Sequence, residues 1–350
     1  MEFICPRCRR SGTDGIVQHP LEPGEVLKSD GDFVLEGFLV CSNSQCRFSY
    51  PILKGVPVIL KDLKGWLYFE QSKLSDVAGD TDEMREYLAG LNLNETQGYA
   101  ERSLLSVYMD FHYGTPDDIP AAFESFGDPK TFWKKLVEKA QPEKGSKYLF
   151  ALDLGCSVGR YTFELARFSN LAVGIDLKFN ALSYAARFQR AQEVSYERKR
   201  HGRYFEKIQS AYSPAQNVLF IAADALDPPF CAETFDFVAS LNLLDNVRLP
   251  LVLIGQMDAL LKQGGNLVIG SPYEWRADLC EPSEWLDTYE LDGPGMVRNI
   301  LQGKVFGEMG LKYDMVQEIM DVPWMLRHHK RHWSLFLIHL LKAFKKVAAV

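Results

Sequence analysis

The sequence predicts an α/β fold in which a parallel sheet is covered by helices on both faces. Three observations support this prediction: strands and helices alternate from residue 141 to residue 350, a glycine-containing loop follows the first of these strands, and acidic residues end the next ones. Such alternation favours parallel pairing, because each helix carries the chain back across a face of the sheet. The 350 residues carry a net charge of −7, and 47% are hydrophobic, which is ordinary for a folded soluble protein.

Residues 1–62 are expected to form a small separate unit that holds a metal. Short alternating segments at 33–40 and 48–60, broken by Gly and Pro, predict a few strands. So small a unit buries little core, and paired cysteines in such a unit favour a tetrahedral structural zinc site. A redox role is less favoured, because no thioredoxin-like strand precedes the first pair. The four predicted zinc ligands are Cys5, Cys8, Cys41 and Cys46.

Residues 63–140 are expected to form a helical connector that packs on the main domain. Spaced apolar residues predict helices over Glu83–Leu91, Glu101–Phe111 and Phe123–Ala140.

The domain at residues 141–350 is predicted to contain seven strands, with helices between the first five. The basic clusters at 197–203 and 342–346 are expected to be solvated helix faces, and the acidic balance argues against a large nucleic-acid surface. The N-terminus has no apolar signal core and no apolar run reaches membrane-spanning length, so we expect a cytoplasmic protein without a membrane partner. The predicted strands are Tyr148–Leu154, Ala172–Asp176, Val218–Ala222, Phe235–Leu241, Gly265–Ser271, Tyr313–Asp321 and His332–Leu340.

The loop after the first strand of this domain, LGCSVGR at 154–160, has the composition of a nucleotide-type site. Gly155 permits a sharp turn, and Gly159 permits close approach of backbone or close packing of the following helix. The amino terminus of that helix favours a carboxylate ligand. Ser157 stands where a dinucleotide fingerprint needs glycine, which disfavours that alternative.

Three acids in order around this loop indicate the rest of the ligand. Asp176 ends the second strand and is expected to accept hydrogen bonds from both ribose hydroxyls. Asp224, with the backbone of Ala225, follows the third strand and is expected to bind adenine. Asp153 is expected to orient the loop or to face an amine of the ligand.

The loops after the fourth and fifth strands are expected to flank the reacting group. Asn242 and Asp245 are predicted to orient a second reactant, and Tyr273 and Trp275 to form walls around it if it is cationic or aromatic. The alternatives stay open that Trp275 is packing and Asp245 a helix cap. The segment 321–333, dense in His and Arg, is expected to link the last two strands. His328 or His329 there either contacts substrate or belongs to an exposed basic loop.

DLGCSVGR, GID, AADALDPPF with FDFV, and LLKQGGNLVIGSP resemble, in this order, the motifs of class I methyltransferases over about 150–275. The resemblance implies a Rossmann-like, seven-stranded class I methyltransferase domain and S-adenosyl-L-methionine as cofactor. We also expect Cys156, Leu177 and Asn242 to contribute to the cofactor site. DPPF also resembles a motif of amino-methylating enzymes, but it precedes the fourth strand here and is better explained as a tight loop.

Two narrower resemblances concern the substrate. CSNSQCRFSYPILKGVPVIL is similar to the zinc ribbon of small methyltransferase-activator proteins and of some ribosomal RNA guanine methyltransferases. GCSVGRYTFELAR, LNLLDNV, GSPYEW and VPWMLRHHKRHW resemble 4-mercaptohistidine N-methyltransferases of ovothiol synthesis, although the ribbon and the insertion at 191–217 depart from them.

The leading hypothesis is N-methylation of a small imidazole- or amine-containing molecule. The alternatives are an RNA methyltransferase that uses the ribbon to bind RNA, and a non-catalytic cofactor-binding scaffold.

Overall fold

The computed structural model describes residues 2–12, 15–70, 81–89, 98–114, 130–142, 146–305 and 311–347. The N-terminal unit is built of short antiparallel strands, with a hairpin of β1 and β2 beside a sheet in the order β3-β4-β5-β6. The segment 48–60 contains two short strands joined by a turn at Lys54 and Gly55, both with positive φ, which agrees with the expected break at Gly and Pro. The strands are β1 (Arg10–Gly12), β2 (Gly15–Val17), β3 (Leu21–Asp30), β4 (Phe33–Cys41), β5 (Ser49–Leu53) and β6 (Val56–Pro57).

The connector is helical where it is described. Its helices are α1 (Leu63–Glu70), α2 (Asp82–Ala89), α3 (Gly98–Tyr113) and α4 (Lys130–Ala140). The predicted helix at 101–111 lies inside α3, and α4 covers the second half of the one predicted at 123–140, whose first residues are outside the described part. Phe111 of α3 packs edge-on against Phe132 of α4 at 5.3 Å between ring centroids.

The main domain contains a seven-stranded sheet in the order β11-β8-β7-β12-β13-β15-β14. The first five strands of this order run parallel, as expected, whereas β15 is antiparallel to both of its neighbours. The strands are β7 (Tyr148–Leu154), β8 (Ser169–Asp176), β11 (Val218–Ala222), β12 (Phe235–Leu241), β13 (Leu261–Ser271), β14 (Tyr313–His329) and β15 (His332–Lys345).

Helices cover both faces of this sheet. The helices of this domain are α5 (Arg160–Leu165), α6 (Phe179–Ala191), α7 (Pro250–Leu260) and α8 (Gly293–Leu301). Buried side chains of α3 to α6 belong to the core on one face, and those of α7 and α8 to the core on the other. Among the described helices, none is long and apolar enough to cross a membrane.

Three expectations about local structure were wrong. No helix joins β11 to β12, because the linking residues 223–234 are all described and form a loop with two prolines. The basic cluster at 197–203 lies in a hairpin of β9 (Val194–His201) and β10 (Tyr204–Ser210), and the cluster at 342–346 lies mostly in β15, so neither is a helix face. In β9 the alternation of buried Val194 and Tyr196 is the strand signal that the charges obscured.

The segment at 321–333 is strand rather than a linking loop. His339 of β15 pairs with Ser271, the last residue of β13, so the hairpin at 322–338 extends beyond the carboxyl end of the parallel strands. Trp324 in this extension packs against Phe111 of α3 at 5.7 Å. The extended hairpin therefore stands over the edge of the sheet where ligands of α/β folds bind.

The N-terminal unit shares its core with the main domain. Val58 pairs in parallel with Ala222 at the free edge of β11, and the Ile59 N–H donates to the Ala222 carbonyl at 2.8 Å. Leu53 and Val58 belong to the core on one face of the sheet, and Tyr50 and Ile59 to the core on the other. The N-terminal unit therefore continues the main sheet beyond its edge strand β11.

Phe230 is a buried anchor of this junction, with its ring 6.0 Å from Phe3 and 5.0 Å from Phe235. We expect Phe230→Ala to lower the free energy of unfolding by about 3–5 kcal/mol, because it removes a large side chain from a packed site. The matched control is Tyr289→Ala, since Tyr289 is fully exposed. Denaturant unfolding measures both; equal stability of the two variants contradicts the shared core.

Candidate functional site

The glycine loop joins β7 to α5 through three residues with positive φ, namely Gly155, Ser157 and Gly159. A Cβ on Gly159 would lie 2.7 Å from the Phe220 ring, so glycine is needed here for close packing of the helix. The side chain of Cys156 is buried beneath the loop, against Gly174, so only its backbone is available to a ligand.

The α3 helix holds this loop from the other side. The Tyr113 hydroxyl donates to the carbonyl of Val158 at 2.7 Å, and Arg160 donates to the carbonyl of His112 at 2.8 Å. Tyr113 could not be identified from the sequence, because nothing in its spacing indicates which loop it reaches.

Asp153 and Asp176 lie on either side of the loop. Asp176 Oδ2 accepts the Ser157 N–H and Oδ1 accepts the Lys178 N–H, both at 2.8 Å, which ties the loop to the end of β8. Asp153 is buried and accepts the Thr162 hydroxyl at 2.7 Å. Burial raises the pKa of Asp153 to about 7; the bonds from Thr162 lower it and the charge of Asp176 raises it.

A cavity of about 720 Å³ opens beside the ends of β8 and β11. Leu177 and Asp224 line it, and Asp224 also accepts the N–H of Leu226 at 2.8 Å. Ala225 is nearly buried next to it.

The N-terminal unit and α1 form the opposite wall of this cavity, to which they contribute Arg9, Lys61 and Trp66. Trp66 Nε1 donates to the Leu177 carbonyl at 3.1 Å, and Arg9 forms an ion pair with Asp227 at 2.8 Å. Asp227–Phe230 is a tight loop, as expected. This wall could not be predicted from the sequence, because its residues are far from the glycine loop in the chain.

Asn242 and Asp245 follow β12. The Asn242 N–H donates to the Gly270 carbonyl at 2.7 Å, and its side-chain Oδ1 is buried without a partner among the described residues. Asp245 is fully buried and its Oδ2 accepts the Glu274 N–H at 2.8 Å, while burial raises its pKa. Asp245 thus fastens the loop that carries Tyr273.

Tyr273 and Trp275 line a second cavity of about 350 Å³, beyond the carboxyl end of β13. The Tyr273 hydroxyl is 2.8 Å from His339 Nδ1, and the Trp275 ring stacks on Trp285. Asn242 and Asp245 are not part of this lining. His328 bonds Ser334 at 2.9 Å and lines neither cavity.

The four N-terminal cysteines converge, with all their sulfur atoms within 4.8 Å of one another. Cys8 Sγ is 3.7 Å from Cys41 Sγ. Tetrahedral zinc with bonds of about 2.3 Å places its sulfur ligands about 3.8 Å apart, so this donor set fits the ion.

Comparison with known families decides the class of this fold. Residues 152–269, which include the glycine loop and the carboxyl ends of β7, β8, β11 and β12, match the family described as "Methyltransferase domain". They form a class I S-adenosylmethionine-dependent methyltransferase domain.

The methyltransferase domain has distant relatives. Demethylmenaquinone methyltransferases of Staphylococcus carnosus and Staphylococcus aureus are 26% and 29% identical over 147 residues, which is 41% of this chain. The chain spans about half the length of these relatives, 50% in each case. The N-methyltransferase NodS of Bradyrhizobium japonicum is 16% identical, with 62% of this chain and 96% of that one covered at a TM-score of 0.40.

Asp153 makes the stability of the methyltransferase domain depend on pH. An acid whose pKa is raised by folding stabilises the folded state while it is protonated. The contribution of Asp153 to the free energy of unfolding is complete below the ordinary pKa of about 4. It is lost as the pH rises through the folded-state pKa of about 7. From pH 5 to pH 8 we expect the wild type to lose about 2 kcal/mol relative to Asp153→Asn. Urea unfolding at both pH values measures this difference, with Asp314→Asn as the exposed control. Parallel pH curves for wild type and Asp153→Asn contradict it.

Proposed function

We propose that this protein is an S-adenosylmethionine-dependent methyltransferase that methylates a nitrogen atom of a small imidazole- or amine-containing molecule. The observation that carries the proposal is that Asp176 ties the glycine loop to the end of β8 through the Ser157 N–H, next to the 720 Å³ cavity that Leu177 and Asp224 line. When bound, the cofactor supplies a sulfonium methyl group: the bond from nitrogen to carbon forms as the bond from carbon to sulfur breaks, and its electron pair stays on sulfur.

The cofactor's ribose and adenine are assigned to the ends of β8 and β11. Asp176 binds the ribose hydroxyls, because a carboxylate with two backbone N–H partners keeps further lone pairs to accept hydrogen bonds. Leu177 and Asp224, with the Ala225 backbone, bind the adenine. Arg9, Lys61 and Trp66 close that end of the cavity from the N-terminal side.

The methionyl end is assigned to the loop from Gly155 to Gly159. The backbone of Cys156 contributes hydrogen-bonding groups there. Asp153 lies beneath the loop, and when it loses its proton its carboxylate can balance the charge of a bound ammonium group. Asn242 borders this end, because a Cβ on Gly155 would lie 3.1 Å from its neighbour Leu243.

A small acceptor fits the second cavity better than RNA does. Its volume of about 350 Å³ is within the range of small-molecule sites, and Tyr273 and Trp275 form aromatic walls. Asp287 and Asp292 in its lining disfavour a phosphate backbone and favour a cationic or neutral nitrogen compound. The curated relatives are also named for a small molecule, demethylmenaquinone.

Within this proposal Tyr273 contacts the acceptor, and Asp245 acts as a positioning residue. The buried Asp245 carboxylate holds the Glu274 N–H, so it sets the path of the loop rather than touching the acceptor. Asn242, with its unpartnered Oδ1, stands between the two sites as a hydrogen-bond acceptor for either ligand.

The cysteine cluster is proposed to hold one structural zinc ion in a ribbon fold. Cys5 and Cys8 enclose Pro6, which lines the cofactor cavity, and Arg9 follows directly. An ion at the four thiolates fixes this turn against the loop at Asp227, which assigns the ribbon to cofactor binding rather than to an RNA surface.

Asp176→Ala should weaken binding of S-adenosylmethionine by roughly 10- to 100-fold, because hydrogen bonds to a charged acceptor are lost. Isothermal calorimetry measures the dissociation constant. Asp314→Ala is the matched control, since Asp314 is an exposed acid that pairs with Lys346 on the far side of the sheet. Unchanged affinity in Asp176→Ala refutes the assignment of the ribose site.

Elemental analysis of the protein purified after zinc supplementation should find one zinc ion per chain. Cys46→Ser should lose it and lower the thermal unfolding midpoint, since metal binding contributes directly to folding of such units. Cys231→Ser, at a cysteine outside the cluster, should retain the ion. A metal-free wild type, or a Cys46→Ser variant that keeps its zinc, rules out the site.

A further inference from the structure

A continuous chain of hydrogen bonds leads from the wall of the 350 Å³ cavity through the buried His339 to the partly exposed Glu318 and Arg298. The Tyr273 hydroxyl is 2.8 Å from His339 Nδ1, and His339 Nε2 is 2.8 Å from Glu318 Oε1. Arg298 closes the chain with two bonds to Glu318, at 2.6 Å and 3.1 Å. These residues come from four elements: the loop after β13, then β15, β14 and α8.

The charges of Arg298 and Glu318 determine which groups donate and which accept along this chain of hydrogen bonds. The hydrogen bonds from Arg298 lower the pKa of Glu318, which is therefore a carboxylate and only accepts. The proton of a neutral His339 then lies on Nε2, and Nδ1 is left as an acceptor for the Tyr273 hydroxyl. The arrangement has the logic of a serine–histidine–aspartate triad, with a phenol in place of the serine hydroxyl.

The backbone at Tyr273 is strained to reach this position. Its φ of 56° lies in the left-handed region, which costs a non-glycine residue on the order of 1–3 kcal/mol and is typical of functional sites. Its N–H donates to the Ser271 hydroxyl at 3.0 Å, and a Cβ on Gly293 would overlap the ring. Both contacts hold the ring against His339, on which it stacks at 5.9 Å.

We infer that Tyr273 takes the proton that the acceptor molecule releases on methylation, from the methylated nitrogen of an amine or from the other ring nitrogen of an imidazole. His339 and Glu318 are the positioning residues through which this proton leaves the cavity. This inference rests on the proposed function. It restricts the substrate class to nitrogen compounds that carry an N–H after methyl transfer, such as an imidazole or a primary or secondary amine.

The proton step is balanced within these residues. The acceptor's N–H proton passes to Tyr273 Oη as the phenolic proton passes to His339 Nδ1, so tyrosine stays neutral throughout. His339 becomes an imidazolium ion paired with the Glu318 carboxylate, and returns its proton to water after the product leaves.

The protonation state of His339 allows it to accept the proton. Burial lowers the pKa of His339, whereas the bond to Glu318 raises it, with a net result below the ordinary value. The other groups that face it are Tyr273, Arg298, which lowers its pKa, and Asp292, which raises it. His339 is therefore neutral near pH 7 and free to accept a proton.

The first test needs no acceptor. Long-range ¹H–¹⁵N spectra of the full chain with labelled histidine should show His339 as the Nε2–H tautomer, with Nδ1 hydrogen-bonded. Tyr273→Phe should shift only the Nδ1 resonance of His339, and Glu318→Gln should shift Nε2. His328→Asn, which removes another half-buried histidine, serves as assignment control. An Nδ1–H tautomer overturns the inference, because His339 would then donate to Tyr273.

The second test uses imidazole and histamine as probes with labelled S-adenosylmethionine. Tyr273→Phe and His339→Gln should each lower kcat by roughly 10²- to 10⁴-fold, the range of general-base catalysis, with KM changed only a few-fold. The wild-type rate should fall as the pH drops through the lowered pKa of His339, and this acid limb should vanish in His339→Gln. His328→Asn should behave as wild type.

Calorimetry of cofactor binding separates the two proposals. If Tyr273→Phe and His339→Gln bind S-adenosylmethionine as the wild type does and also keep full turnover, the proposed proton pathway is wrong. The proposed methyltransferase function is not affected by that result. A wild type that does not bind the cofactor refutes the proposed function, whereas the tautomer spectra still decide whether His339 is built to accept a proton.

Discussion

Parallel pairing forces the carboxyl ends of β8, β7, β12 and β13 to meet along one edge of the sheet, although these ends are far apart in the sequence. Everything at the site depends on this constraint. Asp176 reaches the Ser157 N–H because β8 lies beside β7, and Asn242 reaches Gly270 because β12 lies beside β13. Hydrogen bonds thus tie the loop after β7 to the end of β8, and they tie the loop after β12 to the end of β13 and to the loop that follows it.

The antiparallel strand β15 adds a histidine side chain to this edge of the sheet. Because it runs against β13, it carries His339 opposite Ser271 and continues past the end of the parallel strands. A sheet of parallel strands alone would end here in loops. The reversed strand instead supplies hydrogen-bonded strand backbone beside the 350 Å³ cavity, from which the buried imidazole of His339 faces the loop after β13.

The sequence alone predicted those parts of the fold that depend on the local pattern of apolar residues. β7, β11 and β12 begin and end where apolar runs predict them, because buried parallel strands leave an uninterrupted hydrophobic signal. β9 and β10 were missed because their charged residues pair with one another across the hairpin, as Arg198 does with Glu206. Glu318 and His339 could not be found by spacing, since their meeting depends on the register of two long strands. The wall formed by Arg9 and Trp66 likewise depends on where a distant segment docks.

The pairing of Val58 with Ala222 also bears on how the chain assembles as it is synthesised. The N-terminal unit leaves the ribosome first, but the strand edge on which it docks is made much later, so its apolar residues must wait without their partner. The proposed zinc ion would cross-link four cysteines that all lie within the first 46 residues, and this cross-link would not depend on that delay. With that ion in place the unit would acquire a defined shape early and reach the growing sheet as a preformed edge, which lowers the entropy lost when residues 58 and 222 meet.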